Sequence, residues 1–262
     1  MSEERKAPWI AVTVIVLLFL FVPAILVVLF AFNSTNSTAT FGGFSTKWFS
    51  EVFSSAEYTD ALKNSATAAL ITAAVDIVGG TAAALALTKL PRGWSRFLSS
   101  VYLIPLMIPG LILGVSLLVF FSKLDVPLTM FTVVVGHVLV TLPLMILIVA
   151  ARVARLDTAV LEAGRDLGAS GWTTFRRILL PMIAPALIAG GLLVVAWSLD
   201  EFIITLFTNG GTVTVPILIF ALLRRGLDPS VNAIATLLLA VTTTLGVIAA
   251  RIVSTRGVNL GH

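Results

Sequence analysis

Long apolar runs alternate with short polar segments along the whole of this chain. A helix needs about 20 apolar residues to cross a ~30 Å hydrocarbon core. Six runs reach that length: residues 9–32, 64–87, 97–121, 130–151, 182–207 and 229–252. Residues 216–223 are apolar but too short to cross, which predicts an interfacial or re-entrant segment. The pattern predicts an all-α, polytopic membrane protein with six spans and a single transmembrane domain over residues 1–262.

Two runs carry extra information about their helices. The first could belong to a cleaved signal peptide, but its apolar part is longer than the roughly 7–15 residues of such peptides, which favours an uncleaved span. The third contains Pro105 and Pro109, with Gly110 and Gly114 beside them. Proline removes a helical hydrogen bond and clashes with the preceding turn, so we expect this span to kink.

Composition and charge agree with a membrane bundle. The chain has 262 residues, of which 58% are hydrophobic and 11% charged, and no cysteine, so it has neither disulfides nor thiol chemistry. The pI near 9.9 does not indicate nucleic-acid binding, because the basic residues flank the apolar runs. With the N-terminus inside, 12 of the 17 Lys and Arg residues, including Arg5 and Lys6, fall on the inner side. This bias predicts cytoplasmic N- and C-termini.

Motifs for chemistry are missing from the sequence. It has no phosphate-binding G-x-x-x-x-G-K-[ST], no H-E-x-x-H, no Cys/His cluster and no G-x-S-x-G. His137 and His262 are the only imidazoles, and for His137 a packed or hydrogen-bonded role is favoured. The chain is therefore not expected to be an enzyme or to bind a nucleotide by itself.

One polar interruption is periodic, and we call it the elbow: residues 157–181. Apolar side chains recur in it at three- and four-residue steps: Val160, Leu161, Ala163, Leu167, Trp172, Phe175 and Ile178. Gly168 is a poor helix interior residue and Ser170 a good N-cap, so the pattern predicts two short amphipathic helices joined by a bend. Periodicity alone leaves two roles open. The elbow could float at the lipid headgroups, or it could dock into a groove of a soluble partner.

The elbow resembles the EAA loop of ABC importer permeases, E-A-A-x3-G-x9-I-x-L-P. The matching residues are Glu162, Ala163, Gly164, Gly168, Ile178, Leu180 and Pro181. The departure is Gly164, where a second alanine is usual. The resemblance implies that residues 157–181 form a cytoplasmic coupling loop on an ATPase subunit, with Glu162 and Gly168 as docking positions. The helical pattern adds Leu161, Leu167 and Trp172 as apolar contacts beside Ala163 and Gly164.

The same resemblance implies a fold and a set of partners. The fold would be that of a type I ABC importer permease, also called MetI-like, in a bacterial cytoplasmic membrane. The partners would be a second permease subunit in a heterodimer, two ATPase subunits and an extracytoplasmic substrate-binding protein. ATP and Mg²⁺ would bind to the ATPase subunits, and this chain would hold no cofactor.

Acidic residues within the spans suggest a substrate pathway, because ionisable groups in a membrane are costly. Asp76 lies near the middle of the second span, and Asp200 lies roughly 27 Å along the fifth at 1.5 Å per residue. Trp197 lies one turn before Glu201, and Thr205 one turn after it. Carboxylates beside an aromatic ring suit an organic cation. These five residues are the predicted pathway. The alternatives are that Asp76 is satisfied across a helix interface, and that Asp200 and Glu201 bond a neighbouring helix or close a gate.

Within the ABC importer permeases, the chain is similar to the spermidine/putrescine branch. The similar stretches are residues 166–170, 198–202 and 225–236, and residues 136–143 also fit that branch. Gly110 and Ser230 depart from that branch, because an acid often follows the proline at both places. An amino-acid-like or phosphonate-like solute therefore stays open, as do a stand-alone secondary transporter and a purely structural membrane subunit.

Overall fold

A computed structural model of the chain describes residues 7–38, 40–226 and 228–257, and most of these residues are helical. The charged leader with Arg5 and Lys6, and His262, lie outside the described residues. The helices are α1 (Ala7–Ala31), α2 (Lys47–Ser54), α3 (Ala56–Lys89), α4 (Arg92–Met107), α5 (Gly110–Lys123), α6 (Met130–Val153), α7 (Thr158–Asp166), α8 (Gly171–Thr174), α9 (Leu180–Asp200), α10 (Ile203–Thr208), α11 (Val215–Arg225) and α12 (Ser230–Gly257). A π-helical turn, Phe175–Leu179, joins α8 to α9.

Five helical runs in the described part of the chain are long and apolar enough to cross a membrane. They are Val12–Ala31, Ala56–Lys89, Met130–Val153, Gly171–Asp200 and Ser230–Ser254. A sixth crossing is obtained if the bent pair α4 and α5 counts as one span. The predicted all-α, polytopic architecture with about six spans is confirmed. The short segment at 216–223 is helical and belongs to α11, which has 11 residues.

The third span is broken rather than merely kinked. It begins at Arg92, earlier than expected, and α4 and α5 meet at 99° across Ile108 and Pro109. Pro105 and Pro109 lack the N–H groups that would continue the helical ladder, and Pro109 takes the N-cap position of α5. The expected effect of the prolines is therefore present, but the expectation of one continuous helix over 97–121 was wrong.

The fifth span also differs from its predicted boundaries of 182–207. It ends at Asp200, and α10 begins only after Glu201 and Phe202. At its other end the helix extends back through the π-helical turn to Gly171. The second arm of the elbow is thus the base of this span rather than a separate short helix, whereas α7 confirms the first arm.

The chain divides into two compact units, described separately. The first comprises the described residues of Met1–Asp60 and Leu218–Leu239. In it, the buried Asn33 organises the loop after α1: its Nδ2 donates to Thr40 O at 2.9 Å, and its Oδ1 accepts from Gly42 N at 2.9 Å. Trp48 Nε1 donates to the carbonyl of Asn33 at 2.8 Å, which ties α2 to this loop.

The second unit comprises the described residues of Ala61–Ile217 and Ala240–His262. Its core lies where α3, α6 and α9 meet around the fully buried Met145. A Cβ added at Gly80 of α3 would lie 2.8 Å from Met145 Cγ, and one at Gly190 of α9 would lie 2.6 Å from Met145 Sδ. Small residues thus bring the helices close together, as expected where lipid supplies no hydrophobic drive. The prediction of a single transmembrane domain stays a prediction.

We predict that Gly80→Leu destabilises the protein, because the new side chain would overlap Met145. Overpacking of a close interface costs typically about 1–3 kcal/mol. The apparent melting temperature of the purified chain in detergent should fall. Gly246→Leu is the matched control, since a Cβ at Gly246 of α12 meets nothing within 4 Å. Equal melting temperatures for the two variants would contradict the proposed packing.

Candidate functional site

Capping hydrogen bonds fix the bend of the elbow. Asp157 caps α7 by accepting from Ala159 N at 2.9 Å, and Ser170 caps α8 by accepting from Thr173 N at 3.2 Å. Between the helices, Gly168 N donates to Arg165 O at 2.8 Å, and Ala169 N donates to the carbonyl of the residue five positions earlier at 3.1 Å. This pair of bonds is a Schellman motif, which needs a left-handed residue after the helix. Gly168 supplies it with φ of +81°.

The two arms of the elbow touch at Gly164 and Ile178, both of which are positions of the EAA pattern. A Cβ at Gly164 would lie 2.5 Å from Ile178 Cδ1. Gly164, the departure from the usual pattern, therefore lets α7 approach the π-helical turn closely. Gly164 and Ile178 thus belong to the EAA pattern in the sequence and also contact each other in the structure.

The predicted coupling residues separate into an exposed tip and a base. Leu167 is 89% exposed, and Glu162, Ala163 and Gly168 are exposed beside it. Leu161 is only half-exposed. Leu167 is therefore accessible at the tip of the elbow.

Trp172 lies in α8, after the bend. It is 68% exposed, its ring stacks on Phe175 with centroids 5.5 Å apart, and it borders an apolar cavity of about 470 Å³ that is also lined by α3 and α9. Trp172 thus belongs to the base of the fifth span. The structure does not test the coupling role of these residues, which stays a prediction.

Three of the five predicted pathway residues line one cavity. It has a volume of about 550 Å³ and lies between α6, α9 and α12. Its lining residues are Leu144, Leu193, Ala196, Trp197, Asp200, Glu201, Thr242 and Thr243. The end of α9 therefore presents two carboxylates and an indole to a space with threonines on its opposite wall.

The two acids of this cavity are held differently. Glu201 Oε1 accepts from Ile204 N at 2.9 Å and so caps α10. The Asp200 carboxylate makes no hydrogen bond or ion pair among the residues that the structure describes. Asp200 is thus the acid whose charge is available to a ligand in the cavity.

Asp76 and Thr205 do not line this cavity. Asp76 is fully buried in α3, with the hydroxyl of Thr141 as a polar neighbour. That hydroxyl donates to His137 O at 2.9 Å, and neither Asp76 oxygen has a well-formed hydrogen bond within the described residues. Thr205 is fully buried, and its Oγ1 lies 2.8 Å from His137 Nε2.

Sequence reasoning missed the threonines of the cavity and the partners of His137. Thr242 and Thr243 belong to three consecutive threonines in an apolar span, a signal that was present. Ser230, the second departure from the polyamine branch, is fully buried: its Oγ donates to Asp228 Oδ1 at 2.6 Å, and it also contacts the Tyr58 hydroxyl. Ser230 thus forms side-chain hydrogen bonds at the first residue of α12.

Comparisons with known proteins agree on one kind of protein. The family model described as binding-protein-dependent transport system inner membrane component matches residues 76–256. The spermidine/putrescine transport system permease protein PotC of Escherichia coli K12 is 31% identical over 237 residues, covering 90% of this chain and 89% of PotC. The putrescine transport system permease protein PotI of the same strain is 34% identical over 253 residues, covering 93% and 90%.

A solved structure shows the same fold. It is a bacterial ABC transporter involved in the import of the acidic polysaccharide alginate, and one of its chains matches with a TM-score of 0.73 and 16% identity. The match covers 95% of this chain and 98% of that one. The expected type I, MetI-like fold is confirmed.

We predict that a thiol at Thr243 is accessible and one at Thr208 is not. The chain has no cysteine, so single-cysteine variants report one position each. Thr243 lines the cavity, whereas Thr208 is fully buried in α10. A small charged methanethiosulfonate reagent should modify Thr243→Cys at least about tenfold faster, because reaction requires an accessible thiolate. The modification rates of the two variants are measured in lipid nanodiscs, and total thiol is counted after denaturation. Similar rates for Thr243→Cys and Thr208→Cys would contradict an accessible cavity at Thr243.

Proposed function

We propose that this chain carries polyamines such as spermidine and putrescine. The chain belongs to the family of binding-protein-dependent transport system inner membrane components and is a permease subunit of an ABC importer. It is a multi-pass membrane protein. The observation that carries the choice of substrate is the cavity at the end of α9, where Asp200 and Trp197 line the same space.

The chemistry of that cavity suits a flexible organic cation. The Asp200 carboxylate attracts an ammonium group, and the indole of Trp197 offers the face of an aromatic ring. The hydroxyl oxygen of Thr243 on the opposite wall can accept a hydrogen bond from a second ammonium. An anionic, phosphonate-like solute would meet like charge at Asp200, which costs rather than gains free energy. The names of PotC and PotI support the same class of cargo.

The elbow is connected to this cavity through one helical run. Gly171–Asp200 is helical for 30 residues, including the π-helical turn, so it begins at the elbow and ends at the acid. At about 1.5 Å per residue its two ends lie roughly 45 Å apart along the axis. We infer that an ATPase subunit binds the tip around Leu167, and that a displacement there is transmitted along this run to Asp200.

The family supports an assembly of several subunits. An importer of this kind works with a second permease and a binding protein. We propose that the two permeases form a heterodimer, that two ATPase subunits bind the elbows, and that these subunits hold ATP and Mg²⁺. The excess of basic residues on one side supports cytoplasmic termini and a cytoplasmic elbow. Transport is then driven by ATP on the partner, and this chain supplies half of the pathway.

We predict that Leu167→Asp uncouples the importer. Burial of a leucine contributes about 1.5–3 kcal/mol, so its replacement by a charge should weaken ATPase binding by at least about tenfold. Co-purification of the ATPase and ATP-driven uptake of labelled spermidine should both fall. The control is Leu124→Asp, an exposed leucine at the end of α5. It lies between the third and fourth spans, a connection that is on the outer side if the N-terminus is cytoplasmic. Unchanged co-purification of the Leu167→Asp variant would refute the coupling proposal.

We predict that Asp200→Asn selectively impairs uptake of cations. Two unit charges ~4 Å apart attract by about 4 kcal/mol at an effective dielectric constant of 20, so loss of the carboxylate should reduce spermidine uptake by at least about tenfold. Asp125→Asn is the control: it removes one charge from an exposed loop residue with φ of 51°, a conformation that asparagine also tolerates. If Asp200→Asn transports spermidine as well as this control does, the cavity is not the polyamine site.

A further inference from the structure

The break in the fifth span, at Glu201 and Phe202, needs something to hold it. The local hydrogen bonds belong to α10: Glu201 Oε1 accepts from Ile204 N at 2.9 Å, and Thr205 Oγ1 donates to Glu201 O at 3.0 Å. These bonds cap the start of α10. They do not fix its direction relative to α9, because all of them lie on one side of the break.

A single side chain from α6 reaches both sides. His137 is 2% exposed; its Nδ1 lies 2.6 Å from Ser198 Oγ in α9, and its Nε2 lies 2.8 Å from Thr205 Oγ1 in α10. An imidazole ring is rigid, so it sets the separation between these two hydroxyls. Asp200 lies between the two anchor positions in sequence.

The hydrogen-bond pattern assigns the tautomer of this ring. The Thr205 hydroxyl has one hydrogen and gives it to Glu201 O. Its oxygen must therefore accept from His137 Nε2–H, which leaves Nδ1 to accept from the Ser198 hydroxyl. Both ring nitrogens are satisfied in the neutral form.

We propose that His137 is a positioning residue that clamps the break between α9 and α10 and so aims the Asp200 carboxylate into the cavity. The clamp joins three helices: α6 provides the ring, and α9 and α10 provide one hydroxyl each. Thr141 of α6 donates to His137 O one turn along, in the same buried polar region. This inference rests on the proposed function only for the identity of the cargo; the clamp is a property of the fold.

The clamp is tested by measuring the distance between α9 and α10 across the break. The cysteine-free chain allows spin labels at Ile188→Cys in α9, 54% exposed, and Leu206→Cys in α10, 36% exposed. Distance distributions are recorded by pulsed EPR on the full chain in nanodiscs. Thr205→Val removes one anchor of the clamp, and His137→Ala removes both. Thr208→Val is the matched control, since this threonine is equally buried in α10 but its hydroxyl donates to Ile204 O of its own helix at 2.9 Å.

We expect broader or shifted distances in His137→Ala and Thr205→Val, and the original distribution in Thr208→Val. His137→Gln, whose amide can donate from near the position of Nε2, should restore part of the Thr205 bond and narrow the distribution. If His137→Ala fails to fold, Thr205→Val decides the question. An unaltered distribution in Thr205→Val overturns the clamp.

A second measurement distinguishes an effect of the clamp on the position of Asp200 from an effect on the stability of the complex. In the complete importer, Thr205→Val should raise the KM for spermidine by roughly tenfold, equivalent to about 1.4 kcal/mol, at an unchanged amount of assembled complex. A merely structural contact would lower the amount of complex and leave KM as it was, which would overturn the proposal. If the unsubstituted importer does not transport spermidine, the proposed cargo fails, while the EPR distances still decide the clamp.

Discussion

Backbone groups in a bilayer must find their hydrogen-bond partners within the protein, because hydrocarbon offers none. A continuous helix meets this requirement by itself, so each interruption of a helix needs side chains or special backbone geometry to replace the missing bonds. This constraint determines where the chain can depart from regular helix. At the elbow the replacement is a Schellman turn through Gly168 and a cap by Ser170. At the break after α9 it is the carboxylate of Glu201, which accepts from Ile204 N at the start of α10.

The interruptions are also where the chain presents the groups to which we assign a function. The turn that exposes Leu167 is closed by hydrogen bonds from the backbone N–H groups of Gly168 and Ala169. The break after α9 leaves Asp200 at a helix end, facing a cavity rather than a neighbouring helix. Asp76 shows the contrast: it lies inside an unbroken helix and is fully buried. Two acids that cost much the same in a membrane therefore have different surroundings, and only one can meet a ligand in this cavity.

The first arm and the bend of the elbow were predictable because their determinants are local. A three- and four-residue apolar period, a glycine and a capping serine occur within a few positions, and the structure places Gly168 at a positive φ as this pattern requires. The spans were predictable for a similar reason, since length and hydropathy decide them.

The break at Glu201 was not predictable in the same way. Residues 203–207 continue the apolar run, and nothing in that run shows that the Glu201 side chain would turn onto Ile204 N. The partners of His137 lie 61 and 68 residues away, so only the packing of α6 against α9 and α10 brings them together. Pairing at such sequence separation is invisible to a pattern of hydrophobic and polar residues.

The fold by itself does not select the cargo. A chain of a transporter that imports an acidic polysaccharide shares this fold at low sequence identity, yet a wall carrying Asp200 would repel an acidic polymer. The proposed function assigns a part in selectivity to the few side chains at the cavity wall, which can change without disturbing the helices around Met145. The clamp on the broken span matters for the same reason: a charge contributes to selectivity only if it is held where the ligand passes. An arrangement that separates the packed core from the helix end allows one scaffold to present different charges to different solutes.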